Sequence, residues 1–253
     1  KLIAMEVITL SLETTIWICL AIFSASLITS VTGMAGGVLM FAAMSQSMPL
    51  RPLIAIHGVI QIFSNAARCW FLARHIRWGM CGTFSLGAVL GSAATTVVLV
   101  NYVSEFMALS LLLILIVYTL FKPKKMPQLF LSNGQFFGVG IITGAMGIIA
   151  GAIDPLLAVF FVRDDLSKEE VVATKSFMQL VTHLCKIPAF IYLGFSFMDN
   201  LPLILLLSTV AILGTQVGVR LLAIINRQTF FSLMKIALLL SGAHISYQLV
   251  LAL

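Results

Sequence analysis

Apolar runs long enough to cross a lipid bilayer recur along this chain, and that recurrence limits its fold more than any single motif. A hydrocarbon core of about 30 Å takes roughly 20 apolar residues in a helix rising about 1.5 Å per residue. Eight segments approach or exceed that length: roughly 14–48, 52–73, 79–100, 103–121, 132–162, 170–193, 200–221 and 229–252. Backbone amides in hydrocarbon must bond internally, so the runs read as helices. Only 9% of residues are charged and mean hydropathy is +1.11, too little charge to cover a soluble domain of 253 residues. The expected class is an all-α polytopic membrane protein.

The net charge of +6 sits mostly in short loops between apolar runs, where membrane topology puts basic residues, so no nucleic-acid partner is expected. Cys19, Cys69, Cys81 and Cys185 have no metal-ligand spacing and read as buried thiols. No metal or other cofactor is expected.

Two of the eight segments are too long for one straight span. The first, 14–48, contains "TGMAGGVLM"; the fifth, 132–162, contains "GAMGIIAGAIDPLL". Glycine clusters, with Pro155 in the fifth, weaken the helix in the middle of each. A discontinuous helix or a helical hairpin is predicted in both places. The polar run "KPKKMPQ", 122–128, lies between two similar halves. The division is a first repeat at 1–121, a basic linker at 122–131 and a second repeat at 132–253, each repeat holding one broken segment and three spans.

The second helix of the first half carries a polar stripe that lipid would not tolerate: His57, Gln61, Ser64, Asn65 and Arg68 share one helical face. A shift of 118 residues aligns His57 with Lys175, Gln61 with Gln179, Ser64 with Thr182, Asn65 with His183 and Arg68 with Lys186. Gly33 and Gly37 match Gly147 and Gly151 at a shift of 114. Paired interrupted segments in equivalent places of two halves point to a transporter binding site.

Loop charge bears on topology. If each broken segment crosses once, the basic residues divide six against five between the two faces. If each returns as a hairpin, Arg74, Arg77, Lys122, Lys124, Lys125, Arg163, Lys168, Arg220 and Arg227 share one face, with Lys1 and Arg51 opposite. Nine against two is the asymmetry expected of a cytoplasmic face. It implies inverted repeats with both termini outside.

Four stretches, in order, carry a family resemblance: "GMAGG", "RPLIAIHGVIQIFSNAARCWFLARHIRW", "GIIAGAIDPLL" and "SKEEVVATKSFMQLVTHLCKIPAFIYLGF". Together they resemble the TauE/SafE sulfite exporter family of membrane transporters. The resemblance implies export or uptake of a small anion, sulfite or an organosulfonate, without a bound cofactor. The chain departs from the family pattern at Ala35 and Ala150, which interrupt its glycine runs, and at Asp154, where the family commonly has an apolar residue or proline. The expected location is the bacterial cytoplasmic (inner) membrane, and a homodimer is compatible with this reading.

The expected substrate contacts are Gln61, Ser64, Asn65, Gln179, Thr182 and His183, with His57 and Lys175 beside them and backbone amides at Gly36, Gly37 and Gly151. Neutral donors next to exposed backbone N–H groups suit an oxyanion. The central expectation is that Gln61 and Gln179 face a shared water-filled cavity at mid-membrane, beside the tips of the broken segments. Arg68 and Lys186 either snorkel to the interface or draw anions inward. Asp154 caps a hairpin-tip turn, pairs with Lys175 or Lys186, or carries a proton. Outward movement of one negative charge is favoured by about 2.3 kcal/mol per 100 mV, so export needs no partner ion, whereas uptake needs proton or sodium coupling. An anion channel would use the same residues. A hydrolase reading, from His57, Asp154 and His183, finds no G-x-S-x-G or HExxH motif.

Overall fold

A computed structural model describes residues 8–98, 130–149, 153–163 and 165–251, with six single positions between 106 and 121. Every regular element among the described residues is helical. The fourth expected segment, 103–121, and the linker lie largely outside them.

The first long segment is two helices. α1 (Leu12–Thr32) starts where the Ser11 hydroxyl accepts from the Thr14 N–H at 3.2 Å, and ends at Gly33, whose φ of 73° is left-handed. α2 (Gly36–Ser45) begins after Ala35, a non-glycine residue at φ 71°. Gly36 then lies against Ala25 and Thr29, eleven and seven residues back, so α2 folds back along α1. Met40 and Met44 join Ile18 and Ile22 in one apolar cluster. The first broken segment is therefore a hairpin.

α3 (Leu50–Phe71) and α4 (Trp78–Val97) follow, joined by a turn at Ala73–His75. In the second half come α5 (Phe136–Ile149), the short α6 (Asp154–Val159) opened by Pro155, α7 (Lys168–Tyr192), α8 (Leu201–Ile224) and α9 (Arg227–Leu251). A capping box at Ser167 and Glu170 starts α7. Just before it, Arg163 grips Asp165 through two N–H···O bonds of 2.6 Å, which holds that carboxyl below its ordinary range.

Four stretches, 12–32, 78–97, 198–224 and 227–247, are long and apolar enough to cross a membrane. α3 and α7 have the length, 22 and 25 residues, but are too polar to qualify by composition. They stand inside the bundle, while the surface is apolar: Trp17, Leu20, Leu86, Leu205, Leu239 and Val250 are all exposed. Trp70 and Trp78, exposed at the facing ends of α3 and α4, sit where an interfacial aromatic belt belongs. A multi-pass membrane protein explains this inside-out distribution.

Packing follows small residues. α4 meets α5 with Gly87 and Gly91 on the backbones of Phe137 and Ile141, and Gly140 and Gly144 on those of Phe84 and Ala88. Gly214 and Gly218 of α8 lie in the same way on Phe23, Ser26, Leu27 and Ser30 of α1. With no hydrophobic drive between helices in lipid, such close approach maximises dispersion contacts. α3 and α7 pack on each other at the centre, α3 also on α8 and α7 also on α4.

One end of the bundle gathers charge. The Arg77 N–H donates to Thr174 at 3.1 Å, and the Arg77 side chain pairs with Glu170 at 2.8 Å. Lys168 donates to the carbonyls of Leu222 and Ile225 at the end of α8. At the other end the Ile8 N–H donates to Asn200 at 2.9 Å. The end of α3 thus meets the start of α7, and the two helices run antiparallel.

Candidate functional site

Periodicity puts five polar residues on one face of α3 and five on one face of α7, and the fold turns the two faces toward each other. None of the ten is more than 2% exposed. Arg68 and Lys186 are both buried, which excludes snorkelling for either. Lys186 lies across Gly58 of α3, its Cδ 3.0 Å from where a Cβ would stand, and the His57 and His183 rings meet edge to face at 5.8 Å.

The tip of the α1–α2 hairpin enters this interface. Lys175 donates to the Gly33 carbonyl, placing a cation at the carbonyl end of α1. The Asp154 carboxylate does the converse for α2. Its Oδ2 accepts from the Gly37 N–H at 2.6 Å, in the first turn, and its Oδ1 accepts from the Gln179 amide. Asp154 is the first residue of α6 but makes no cap of its own helix. The expected turn cap is replaced by a bridge between α6, α2 and α7.

His57 Nε2 lies 3.0 Å from the Gly37 carbonyl and 3.4 Å from the Gln61 amide nitrogen. A carbonyl only accepts, so that contact requires Nε2–H and leaves Nδ1 as the bare acceptor, for which the described residues supply no partner. The same proton prevents Nε2 from accepting from Gln61, whose amide hydrogens are thereby kept for another acceptor. Asn65 donates to the Gln61 carbonyl at 2.8 Å, and Arg68 to the Ser64 hydroxyl at 3.2 Å. Ser64 in turn shares a 2.8 Å bond with Thr215 of α8. Thr182 donates back to the Met178 carbonyl at 2.9 Å. Three basic side chains, Arg68, Lys175 and Lys186, are buried in the same interface as Asp154.

The fold therefore gathers His57, Gln61, Gln179, His183, Lys175, Gly37 and Asp154 around one tip, with Lys186 beside Gly58 and Gly147. Gly36 is used differently: it is a contact between α2 and α1. Gly151 lies outside the described residues. Gln61 and Gln179 are both buried, at 2% and 1% exposed. An apolar groove of about 570 Å³, lined by Val59, Phe63, Ile187 and Leu205 among others, opens on the flank of α3, α7 and α8 and holds none of the stripe. Sequence reasoning missed Thr215, which nothing in the α8 pattern marks. It also missed the spaced glycines of α4, α5 and α8, whose four-residue interval was a readable packing signal.

Among the described residues no three His, Cys, Asp or Glu side chains are placed to hold a metal ion. The arrangement is suited instead to an anion: amide and imidazole donors, a backbone N–H at a helix start, and more buried basic than acidic side chains.

No curated protein and no solved structure matches this chain. The family model described as Sulfite exporter TauE/SafE matches residues 18–245 of the 253, the whole of the polar core included. The chain belongs to the TauE/SafE sulfite exporter family of membrane transporters.

Proposed function

We propose that this protein is a secondary transporter of a small anion, sulfite or an organosulfonate, working by alternating access at the interface of two inverted repeats in a bacterial inner membrane. One observation carries the reading: the buried stripes of α3 and α7, three basic side chains among them, meet at a hairpin tip where the Asp154 carboxylate bridges Gly37 and Gln179. Buried ionisable groups in a membrane are costly and persist where they serve a substrate path.

Helix pairing supports the repeat. Exchanging the halves turns the α1–α8 contact into α5–α4 and the α3–α8 contact into α7–α4, and both members of each pair exist. Equivalent helices α3 and α7 run antiparallel, as inversion requires. The division at 122–131 and the nine-against-two charge count agree with this arrangement. The channel reading uses the same residues, and bilayer recordings separate the two. Direction and any proton or sodium coupling follow from the electrical argument above: export runs without a partner ion, uptake with one.

Purified protein in liposomes should move radiolabelled sulfite or a sulfonate. Gln61→Ala should cut that flux about tenfold or more, the value of one charge-assisted hydrogen bond of roughly 1.5 kcal/mol, while the unfolding midpoint stays near that of the parent. Unitary currents in a planar bilayer would replace the carrier with a channel. Absence of flux for every sulfur oxyanion and sulfonate tried would end the transport reading.

A further inference from the structure

The Asp154 carboxylate is bonded in the manner of a bound substrate rather than of a helix cap. It takes the Gly37 N–H in the first turn of the ten-residue α2 at 2.6 Å and the Gln179 side-chain amide, both from elements other than its own. A Cβ on Gly37 would collide with Asp154 Oδ2 and Cγ, so the glycine makes room for that carboxylate. Around this seat, buried polar atoms lack partners among the described residues: both ring nitrogens of His183, one helical turn beyond Gln179, the Gln179 Oε1, and Nδ1 of His57, whose other nitrogen reaches the Gly37 carbonyl. His183 is 1% exposed, and its ring lies 5.8 Å from that of His57. A site that served only to hold Asp154 would not carry an orphaned imidazole on the same face.

We infer that the Asp154 carboxylate occupies the seat of the transported oxyanion, as a tethered internal competitor that the substrate displaces. This rests on the anion-transport reading. A sulfite or sulfonate group takes over the Gly37 N–H and the Gln179 amide, and His183 supplies a donor that a carboxylate with two oxygens, both already engaged, does not use. The competitor keeps the buried cations compensated when no substrate is bound. Its removal exposes the seat, and the apparent affinity for free anions rises by the reciprocal of the fraction of time the seat stands open.

The test compares the full chain with Asp154→Ala and with the near-isosteric Asp154→Asn, in detergent and in liposomes. Sodium sulfite and sodium acetate serve as probes, with gluconate holding ionic strength constant. Both variants should bind sulfite about tenfold or more tightly than the parent, as expected of a seat filled some nine-tenths of the time. Acetate should raise the unfolding midpoint of Asp154→Ala well beyond its effect on the parent, by restoring the missing carboxylate. Adding Gln179→Ala to Asp154→Ala should abolish the acetate effect, which a diffuse attraction to the remaining cations would preserve. Should Asp154→Ala fail to fold, sulfite binding to Asp154→Asn decides alone. The inference is overturned if sulfite affinity falls or stays level in the folded variants, or if acetate acts equally with and without Gln179. Parent flux without tighter binding in either variant overturns this inference and leaves transport standing. Tight binding and acetate rescue without flux in the parent overturns transport and leaves the seat.

Discussion

Two neighbouring residues at the hairpin tip have opposite prospects under substitution. Ala35 holds φ at 71°, where its Cβ crowds the following carbonyl. Ala35→Gly should therefore stabilise the protein by about 1 kcal/mol, read as a higher unfolding midpoint in detergent. Gly37 is the reverse case. Its backbone has no need of glycine, but the Asp154 carboxylate fills the space a side chain would take. Gly37→Ala should fill the seat against Asp154 and a substrate oxyanion alike and reduce sulfite flux about tenfold or more, since one buried charge-assisted bond to the substrate is worth roughly 1.5–3 kcal/mol. Flux at the parent level would show that the two residues do not meet in the working protein. At this scale the sequence identified the residue types and their helical face. It could not say that Arg68 and Lys186 are buried, because a long cationic side chain near a helix end has two outlets and only the neighbouring helices close one of them.

Helices in this protein approach one another where glycine permits, which makes element packing sensitive to position along one face. Gly91→Leu should push α4 off the backbone of Ile141 and cost about 1–3 kcal/mol or prevent folding. Gly82, on the same helix with open space around it, should accept leucine with little change. Equal melting behaviour of the two variants would refute this packing account. The breaks were legible because glycine clusters and excess length both point to them. The break itself does not tell a straight interrupted helix from a hairpin, since Gly33 can redirect the chain in several ways, and only the loop charges pointed to hairpins. Contact of Gly36 with Ala25 and Thr29 decides it for the first half.

The whole molecule presents a charged end, built from Arg77, Glu170, Lys168 and the end of α8, and an opposite end where Ile8 meets Asn200. Under the proposed topology the charged end is cytoplasmic. In a cysteine-free background, single cysteines at Arg74 and Asn226 should resist a membrane-impermeant maleimide added outside intact cells, and one at Asp199 should react. Labelling of all three from one side would dismantle the inverted arrangement. Loop charge alone suggested this partition. The bundle adds an independent ground, because its own hydrogen bonds collect the same loops at one end.

What the sequence determined by itself is the material of each helix: which segments belong in lipid, which two are broken, and which face of α3 and of α7 cannot touch acyl chains. Those follow from local periodicity and hydropathy, which need no partner to be read. Only the tertiary structure decided that the two faces meet each other, that Lys175 and Asp154 complement opposite ends of a broken helix, and that Thr215 joins the core. Such pairings depend on residues as many as 151 positions apart in the chain, as Ser64 and Thr215 are. A helical repeat fixes direction around its own axis and carries no information about what stands across the gap.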